Sequence, residues 1–204
     1  MHLLNKIVDR VFVINLKSRP DRKERLSCLL DKEGIEYQFI EAIDGRDYPQ
    51  GNLSWGAMGC LLTHNLICSI AQASKLKSYC VFEDDIVLCK DFEKRLATLP
   101  DDYDMFYLGC TIIKDLPTER KDIWQLKEWW GSWAYIVRET AYKDYLQVRL
   151  DMNEPEDVYS SQLSTKLDVK TIISGLVGVN KDFSDVKQMV YNPVNFMRKD
   201  TFIY

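Results

Sequence analysis

Val11-Phe12-Val13-Ile14-Asn15-Leu16-Lys17-Ser18-Arg19-Pro20-Asp21-Arg22 reads as a strand delivered into the start of a helix. The apolar, mostly β-branched run of residues 11–14 stops at polar Asn15. That pattern belongs to a strand buried on both faces of a parallel sheet, with a ligand lying past its end. Ser18 can cap the following helix, with Asp21 three residues on, and Leu26, Leu29 and Leu30 then recur at helical spacing to cover one face of the sheet. Gly34 is placed to stop that helix.

Working outward, residues 37–40 make a second short strand, and Asp44-Gly45 offers a turn with positive φ available at the glycine. Between Ser54 and Ser74 the spacing of Met58, Leu61, Leu62, Asn65, Leu66, Ser69 and Ile70 predicts a long helix with a largely apolar inner face. Residues 79–82 form a strand that runs directly into Glu83-Asp84-Asp85. The order is β-α-β-α-β, which predicts an α/β sandwich with ligands at the carboxyl ends of the strands. Further on, residues 104–108 and 133–137 read as strands, 139–148 and 158–167 as helices, and 171–173 as a last strand. Residues 111–128 are charged, contain Pro117 and show no sustained period, so they read as a long functional loop. The final twenty or so residues hold Pro193 and show no clear period.

Composition bounds the classes of function. A chain of 204 residues with 46% apolar content can bury one ordinary core, so a single domain spanning residues 1–204 is expected. The net charge of -4 carries no basic stripe of the kind that holds a phosphate backbone, which excludes nucleic acid as the expected partner. Lys6, Asp9 and Arg10 interrupt the N-terminus before a secretory signal core can form. No segment reaches the roughly 18 to 20 apolar residues of a membrane helix. Six cysteines, Cys28, Cys60, Cys68, Cys80, Cys89 and Cys110, contain no CxxC pair, arguing against a zinc site and a disulfide framework. They read as reduced core residues of a cytoplasmic protein.

Three constellations can carry chemistry. In Tyr79-Cys80-Val81-Phe82-Glu83-Asp84-Asp85-Ile86-Val87-Leu88, three carboxylates interrupt a run that otherwise favours burial. Such mutual repulsion is tolerated where a hard divalent cation, Mg²⁺ or Mn²⁺, lies between the acids and a phosphate; the cluster also fits a solvated turn. A phosphatase of the haloacid dehalogenase kind needs Asp-x-Asp with a nucleophilic first aspartate, and Glu83 stands there instead. The junction from Asn15 to Arg22 offers free backbone N–H groups, a helix dipole and the guanidiniums of Arg19 and Arg22 to an anion; the same charges also fit an exposed first turn. No Gly-rich phosphate loop is present. The third constellation is Gly56-Ala57-Met58-Gly59-Cys60-Leu61-Leu62-Thr63-His64-Asn65. Its two glycines each weaken a helix by roughly 1 kcal/mol relative to alanine, which close approach of another backbone would explain. His64 is one of two histidines and fits a structural role as well as a ligand's.

Taken in order, VFVINLKSRPDRKERL, GAMGCLLTHNLI, VFEDDIVL, GSWAYIVRETAYKDYL and PEDVYSSQL resemble glycosyltransferase family 25, over about residues 10–185, leaving 186–204 as a C-terminal tail. The family includes bacterial lipopolysaccharide galactosyltransferases and collagen galactosyltransferases. The resemblance implies a GT-A type, Rossmann-like α/β/α sandwich with a mostly parallel sheet. It also implies transfer of galactose from UDP-galactose, with inversion, to a hydroxyl of a saccharide or hydroxylated protein acceptor. By the same resemblance Asn15, Arg19, Arg22, Asp44, Gly45, Gly59, His64, Glu83, Asp84 and Tyr135 surround the nucleotide sugar, and Asp85 with Glu83 holds Mn²⁺ or Mg²⁺. Asp157, in Pro155-Glu156-Asp157, matches the family's proline-x-aspartate position and is the implied general base, with Glu156 as second choice. Asp157 also fits a plain helix-start carboxylate. Trp133 and Asn180 depart from the family's usual residues, which puts acceptor and donor choice in doubt. A non-catalytic nucleotide-sugar-binding module and a nucleotide-sugar hydrolase are the competing expectations.

Overall fold

The computed structural model describes residues 1–49, 52–148, 153–180, 182–184 and 189–191. The chain begins with α1 (Leu4–Ile7), β1 (Arg10–Asn15), α2 (Pro20–Glu33), β2 (Gln38–Glu41) and a 3₁₀ turn at Gly45–Asp47. It continues through α3 (Trp55–Ala73), β3 (Ser78–Glu83), β4 (Ile86–Leu88), α4 (Phe92–Leu96), β5 (Met105–Pro117) and β6 (Ile123–Arg138). A 3₁₀ turn at Glu139–Ala141 leads into α5 (Tyr142–Gln147), followed by α6 (Glu156–Leu163), β7 (Val169–Ile172), β8 (Val177–Val179), β9 (Asp182–Ser184) and β10 (Met189–Tyr191).

A six-stranded sheet in the order β2-β1-β3-β6-β5-β7 forms the centre. β1 is parallel to β2 and β3, and β5 is parallel to β7, while β6 runs against β3 and β5. A single strand is therefore reversed, and the sheet is mostly parallel as expected. Two antiparallel pairs, β4 with β8 and β9 with β10, are separate from it.

Strand pleating divides the core into two layers. Val11, Val13, Cys80, Phe82, Phe106, Leu108 and Ile136 face one side, packing with Leu26 and Leu30 of α2 and Phe92 of α4. Phe12, Tyr79, Val81, Met105, Tyr107, Tyr135 and Val137 face the other, packing with Ile67 and Ala71 of α3, Tyr142 and Tyr145 of α5, and Leu163 of α6. Helices thus cover both faces, completing the α/β/α sandwich.

The helix borders mostly follow their sequence signals. Gly34 ends α2 at φ 70, where a side chain would be strained, and the Ser54 hydroxyl accepts from Ala57 N at the start of α3. Ser18 does not cap α2. Arg19 occupies the N-cap position without a side-chain cap bond, and Pro20 opens the helix because its missing N–H is one of the donors a first turn leaves unused.

The larger correction concerns residues 111–128. These are not a loop but the outer parts of β5 and β6, which pair as a long ribbon out to Pro117↔Trp124. Register shifts at Tyr107/Gly109, Gly109/Thr111, Ile112/Lys114 and Lys114/Asp115 reset the in-out alternation, so no period of two survives in the sequence. Pro117 is tolerated because it is the last residue of β5.

Candidate functional site

The carboxyl ends of β1 and β3 lie side by side, since Ile14 pairs with Glu83, and α2 starts just beyond them. Asp84 is held there on every side. Arg22 Nη1 donates to its Oδ1 at 2.9 Å, Asn15 Nδ2 to its Oδ2 at 2.7 Å, and Arg25 Nη2 to its backbone carbonyl at 2.6 Å. Burial raises the Asp84 carboxyl, while Arg22 and Asn15 oppose that rise. Asp84 is therefore a buried anchor joining β3 to β1 and α2.

Asp85 is different. Its Oδ1 is sealed from solvent and accepts no hydrogen bond, and Arg22 Nη1 stands 3.7 Å from its Oδ2. Burial, reinforced by the neighbouring Glu83 charge, pushes the Asp85 carboxyl up to about 7. A buried carboxylate oxygen with no partner costs free energy until a proton or cation reaches it. The backbone N–H of Asn180 donates to the Asp85 carbonyl at 2.8 Å, so the chain just past β8 sits beside the acidic pair.

Glu83, at the end of β3, shares side-chain parity with Tyr79 and Val81 and faces the α3 layer. Its Oε1 lies 3.6 Å from Nε2 of His64, a residue only 1% exposed. His64 Nδ1 is 2.6 Å from the Tyr135 hydroxyl, which is 2.8 Å from the Tyr145 hydroxyl. Tyr145 and Ser160 both donate to Glu156 Oε1, at 3.1 and 2.6 Å. A buried polar chain thus runs beneath the sheet face from Glu83 to Glu156.

Asp157 follows Glu156 at the start of α6 but turns elsewhere: its Oδ2 accepts from the backbone N–H of Gly131 at 3.0 Å. Burial raises its carboxyl, with Gly131 working against the rise. Gly131 has φ 78, and a Cβ there would stand 2.0 Å from the Trp133 ring, so glycine is needed to turn the N–H toward Asp157. Trp133 itself donates through Nε1 to the Val177 carbonyl at 3.2 Å, pinning β6 to β8.

Gly45 and Gly59 are packed backbone to backbone. A Cβ on Gly45 would meet Trp55 O at 1.9 Å, and one on Gly59 would meet Ile43 O at 2.4 Å. Asp44 is bound to Arg46 on the surface, which holds its carboxyl down at about 2. Arg19 pairs with Asp21 at 3.0 Å. Asn15, Arg22, Glu83, Asp84 and Asp85 are thus gathered at the ends of β1 and β3, with His64 and Tyr135 reaching them through Glu83. Sequence reading passed over Arg25, although its i+3 relation to Arg22 on α2 placed it on the same face. It also passed over Tyr145 and Ser160, for which no local signal exists.

Of the residues considered for a cation, Asp85 and Glu83 supply hard oxygen donors, and the unpaired Asp85 Oδ1 is the kind of vacancy in bonding that such an ion satisfies. Among the described residues, the group of three or more ligand-type side chains with donor atoms mutually within 4.8 Å is Cys60, His64 and Glu83.

Acidic residues at the carboxyl ends of mostly parallel strands, in a sheet covered by helices on both faces, place the chain in the Rossmann-like α/β class. Comparison with known proteins narrows this. The sequence profile of glycosyltransferase family 25 (LPS biosynthesis protein) matches residues 8–127, and the chain belongs to that family. A glycosyltransferase 25 family member of Drosophila melanogaster is 28% identical over 134 residues, 53% of this chain and 22% of that protein. Human procollagen galactosyltransferase 2 is 30% identical over 125 residues, 52% of this chain and 20% of that protein. The inactive glycosyltransferase 25 family member 3 of Mus musculus is 32% identical over 128 residues, 50% of this chain and 22% of that protein. The chain spans about a fifth of the length of the relatives it matches. Among the described residues, no helix is long and apolar enough to cross a membrane.

Proposed function

We propose that this chain is a single glycosyltransferase domain that transfers galactose from UDP-galactose to a hydroxyl of a saccharide or a hydroxylated protein side chain, with inversion and with a divalent cation, Mn²⁺ or Mg²⁺. The observation that carries the reading is Asp85. Its Oδ1 is buried without a partner beside Glu83, in a pocket whose other acid is already neutralised by Arg22. A bound divalent cation would there bring the diphosphate of the donor against the acids and stabilise the charge that develops on departing UDP.

The chain's own residues divide the remaining work. Arg22 and Asn15 keep Asp84 fixed and so set the position of Asp85 behind it. Arg19, near the start of α2, lies where a phosphate is favoured by the free N–H groups and the helix dipole. Gly45 and Gly59 let the Asp44 turn close onto α3, giving the nucleotide a floor. Asp157 is the base that takes the acceptor proton. Its burial-raised carboxyl suits proton abstraction better than an ordinary aspartate would, and Gly131 N–H orients it. Glu156, only 4% exposed and engaged by Tyr145 and Ser160, is a support for that region and not a second base.

A panel of UDP-, GDP- and CMP-sugars, screened with Mn²⁺ for nucleotide release with and without acceptor, tests the reading. Acceptor-dependent UDP release from UDP-galactose is expected. Release from GDP- or CMP-sugars alone overturns the donor assignment, and acceptor-independent release points to hydrolysis. The mouse relative named inactive favours a second reading, a binding module without turnover. Under that reading UDP-galactose binds but no nucleotide is released.

A further inference from the structure

The buried chain bears on which nitrogen of His64 carries hydrogen. Glu156 Oε1 accepts from both Ser160 and Tyr145. Tyr145 has one hydroxyl proton, and directing it at Glu156 leaves its oxygen to accept from Tyr135 across 2.8 Å. In that arrangement Tyr135 donates to Tyr145, and its oxygen accepts from His64 Nδ1 across 2.6 Å. With the bonds so directed, a neutral His64 bears its proton on Nδ1 and presents the lone pair of Nε2. That lone pair faces Glu83 Oε1 at 3.6 Å, and Nε2 is buried with no hydrogen-bond partner. Two acceptors opposed in a buried setting call for a cation between them or a second proton on the ring.

A third side chain favours the cation. Cys60 precedes His64 by one helical turn on α3, so both project from the same face. Its sulfur completes a set with His64 Nε2 and a Glu83 oxygen in which all donor atoms lie within 4.8 Å of one another. Two ligands about 2.0–2.1 Å from a tetrahedral zinc stand roughly 3.4 Å apart, close to the observed 3.6 Å between Nε2 and Oε1. Sulfur, imidazole and carboxylate together select borderline-soft ions over Mg²⁺ and Mn²⁺. The hydrogen bond between Nδ1 and the Tyr135 hydroxyl is also the kind of outer support that fixes the ring of a metal-bound histidine.

We propose that Cys60, His64 and Glu83 form a binding site for a zinc-class divalent cation, coordinated by one sulfur, one nitrogen and one oxygen, with a fourth position open to water or a ligand oxygen. The absence of a CxxC pair therefore does not exclude a zinc-class site, because the ligands come from an i, i+4 pair on α3 and the end of β3. Glu83 is shared with the oxygen-rich Asp85 position, so the two modes of cation binding compete for it. Binding displaces the Cys60 thiol proton to solvent, and affinity rises with pH.

The test uses the full chain, stripped of metal, titrated with Co²⁺ and then Zn²⁺ in the absence of nucleotide. One equivalent of Co²⁺ is expected to give a thiolate-to-metal absorption band in the near ultraviolet with tetrahedral d–d bands in the visible, all abolished by stoichiometric Zn²⁺. Cys60→Ser is expected to remove the thiolate band, and His64→Gln and Glu83→Gln to weaken Co²⁺ binding at least tenfold, each with an unchanged circular dichroism spectrum. The conservative Cys60→Ser change at a half-exposed position keeps the test informative should His64→Gln fail to fold. No thiolate band in the wild-type chain, or a band that persists in Cys60→Ser, overturns the site and leaves the His64–Glu83 contact as an ion pair. Because the readout needs no sugar donor, its failure leaves the glycosyl-transfer reading standing, and failure of that reading leaves the metal site standing.

Discussion

Asp84 and Asp85 are neighbours with opposite physical situations, and their substitutions should separate cleanly. Removing Asp84 leaves the buried Arg22 guanidinium without its 2.9 Å partner, so Asp84→Ala is expected to cost about 3–5 kcal/mol, read by chemical denaturation. Asp85 has the reverse sign. Its carboxyl titrates near 7 in the folded protein against 3.8 ordinarily, so protonated Asp85 contributes stability in full below about pH 4, and that contribution is lost as pH rises through 7. The loss is at most about 4 kcal/mol for the metal-free chain. Asp85→Asn should flatten the stability profile between pH 4 and 8 and raise stability at neutral pH while abolishing transfer. A mutant that unfolds would assign Asp85 a structural role.

The second residue-scale expectation concerns the base. Asp157→Asn keeps the shape and the Gly131 contact but removes the basic oxygen, so transfer should fall by roughly 100-fold to 10,000-fold with little change in donor affinity. Glu156→Gln should be milder in transfer and visible chiefly as a lowered melting temperature, since it disturbs a carboxylate that two hydroxyls use as acceptor. Measuring rate and donor affinity for both variants decides the order. Near-normal transfer in Asp157→Asn would move the base elsewhere.

At the scale of elements, α3 and the turn before it are locked by the absence of two side chains. Gly59→Ala must push the Ile43 carbonyl from 2.4 Å, and Gly45→Ala the Trp55 carbonyl from 1.9 Å. Each is backbone and cannot rotate away, so each change should cost at least about 1–3 kcal/mol and weaken donor binding. Unchanged melting curves would show that the turn yields freely. Gly59 was legible because a glycine is out of place in a helix and Gly45 because Asp-Gly marks a turn, and β1 and β3 were legible because burial on both faces leaves unbroken apolar runs. The β5–β6 ribbon was not. Its bulges erase the alternation, and Trp129, wholly buried, stands beside Trp130, 53% exposed, in a stretch that looks merely charged and aromatic. Within the site, the acidic cluster announced itself, but its division of labour did not, because which acid is neutralised depends on Arg22 and Asn15, more than sixty residues away in the chain. The path from His64 to Glu156 likewise joins α3, β6, α5 and α6, and no local pattern encodes it.

For the whole molecule, the reading makes donor and cation mutually dependent, because each supplies the charge the other needs. Diphosphate alone meets Glu83 and Asp85 with the same sign, and a cation alone lacks the phosphate oxygens that complete its shell. At a hundredfold excess over its dissociation constant, a ligand that binds only the folded state adds about 2.7 kcal/mol, or a rise of roughly 5–11 °C at about 2–4 °C per kcal/mol for a domain of this size. UDP-galactose with Mn²⁺ is expected to reach that range in a thermal melt, UDP-galactose with chelator to give little, and Mn²⁺ alone to give a small rise from the Asp85 Oδ1 it relieves. The combined shift should exceed the sum of the separate ones, and Asp85→Asn should remove the excess while leaving any metal-independent contact of the nucleotide with Arg19 intact. A full shift in chelator would place the diphosphate on Arg19 and the α2 N-terminus without a cation. A shift with GDP- or CMP-sugars and none with UDP-sugars would overturn the donor.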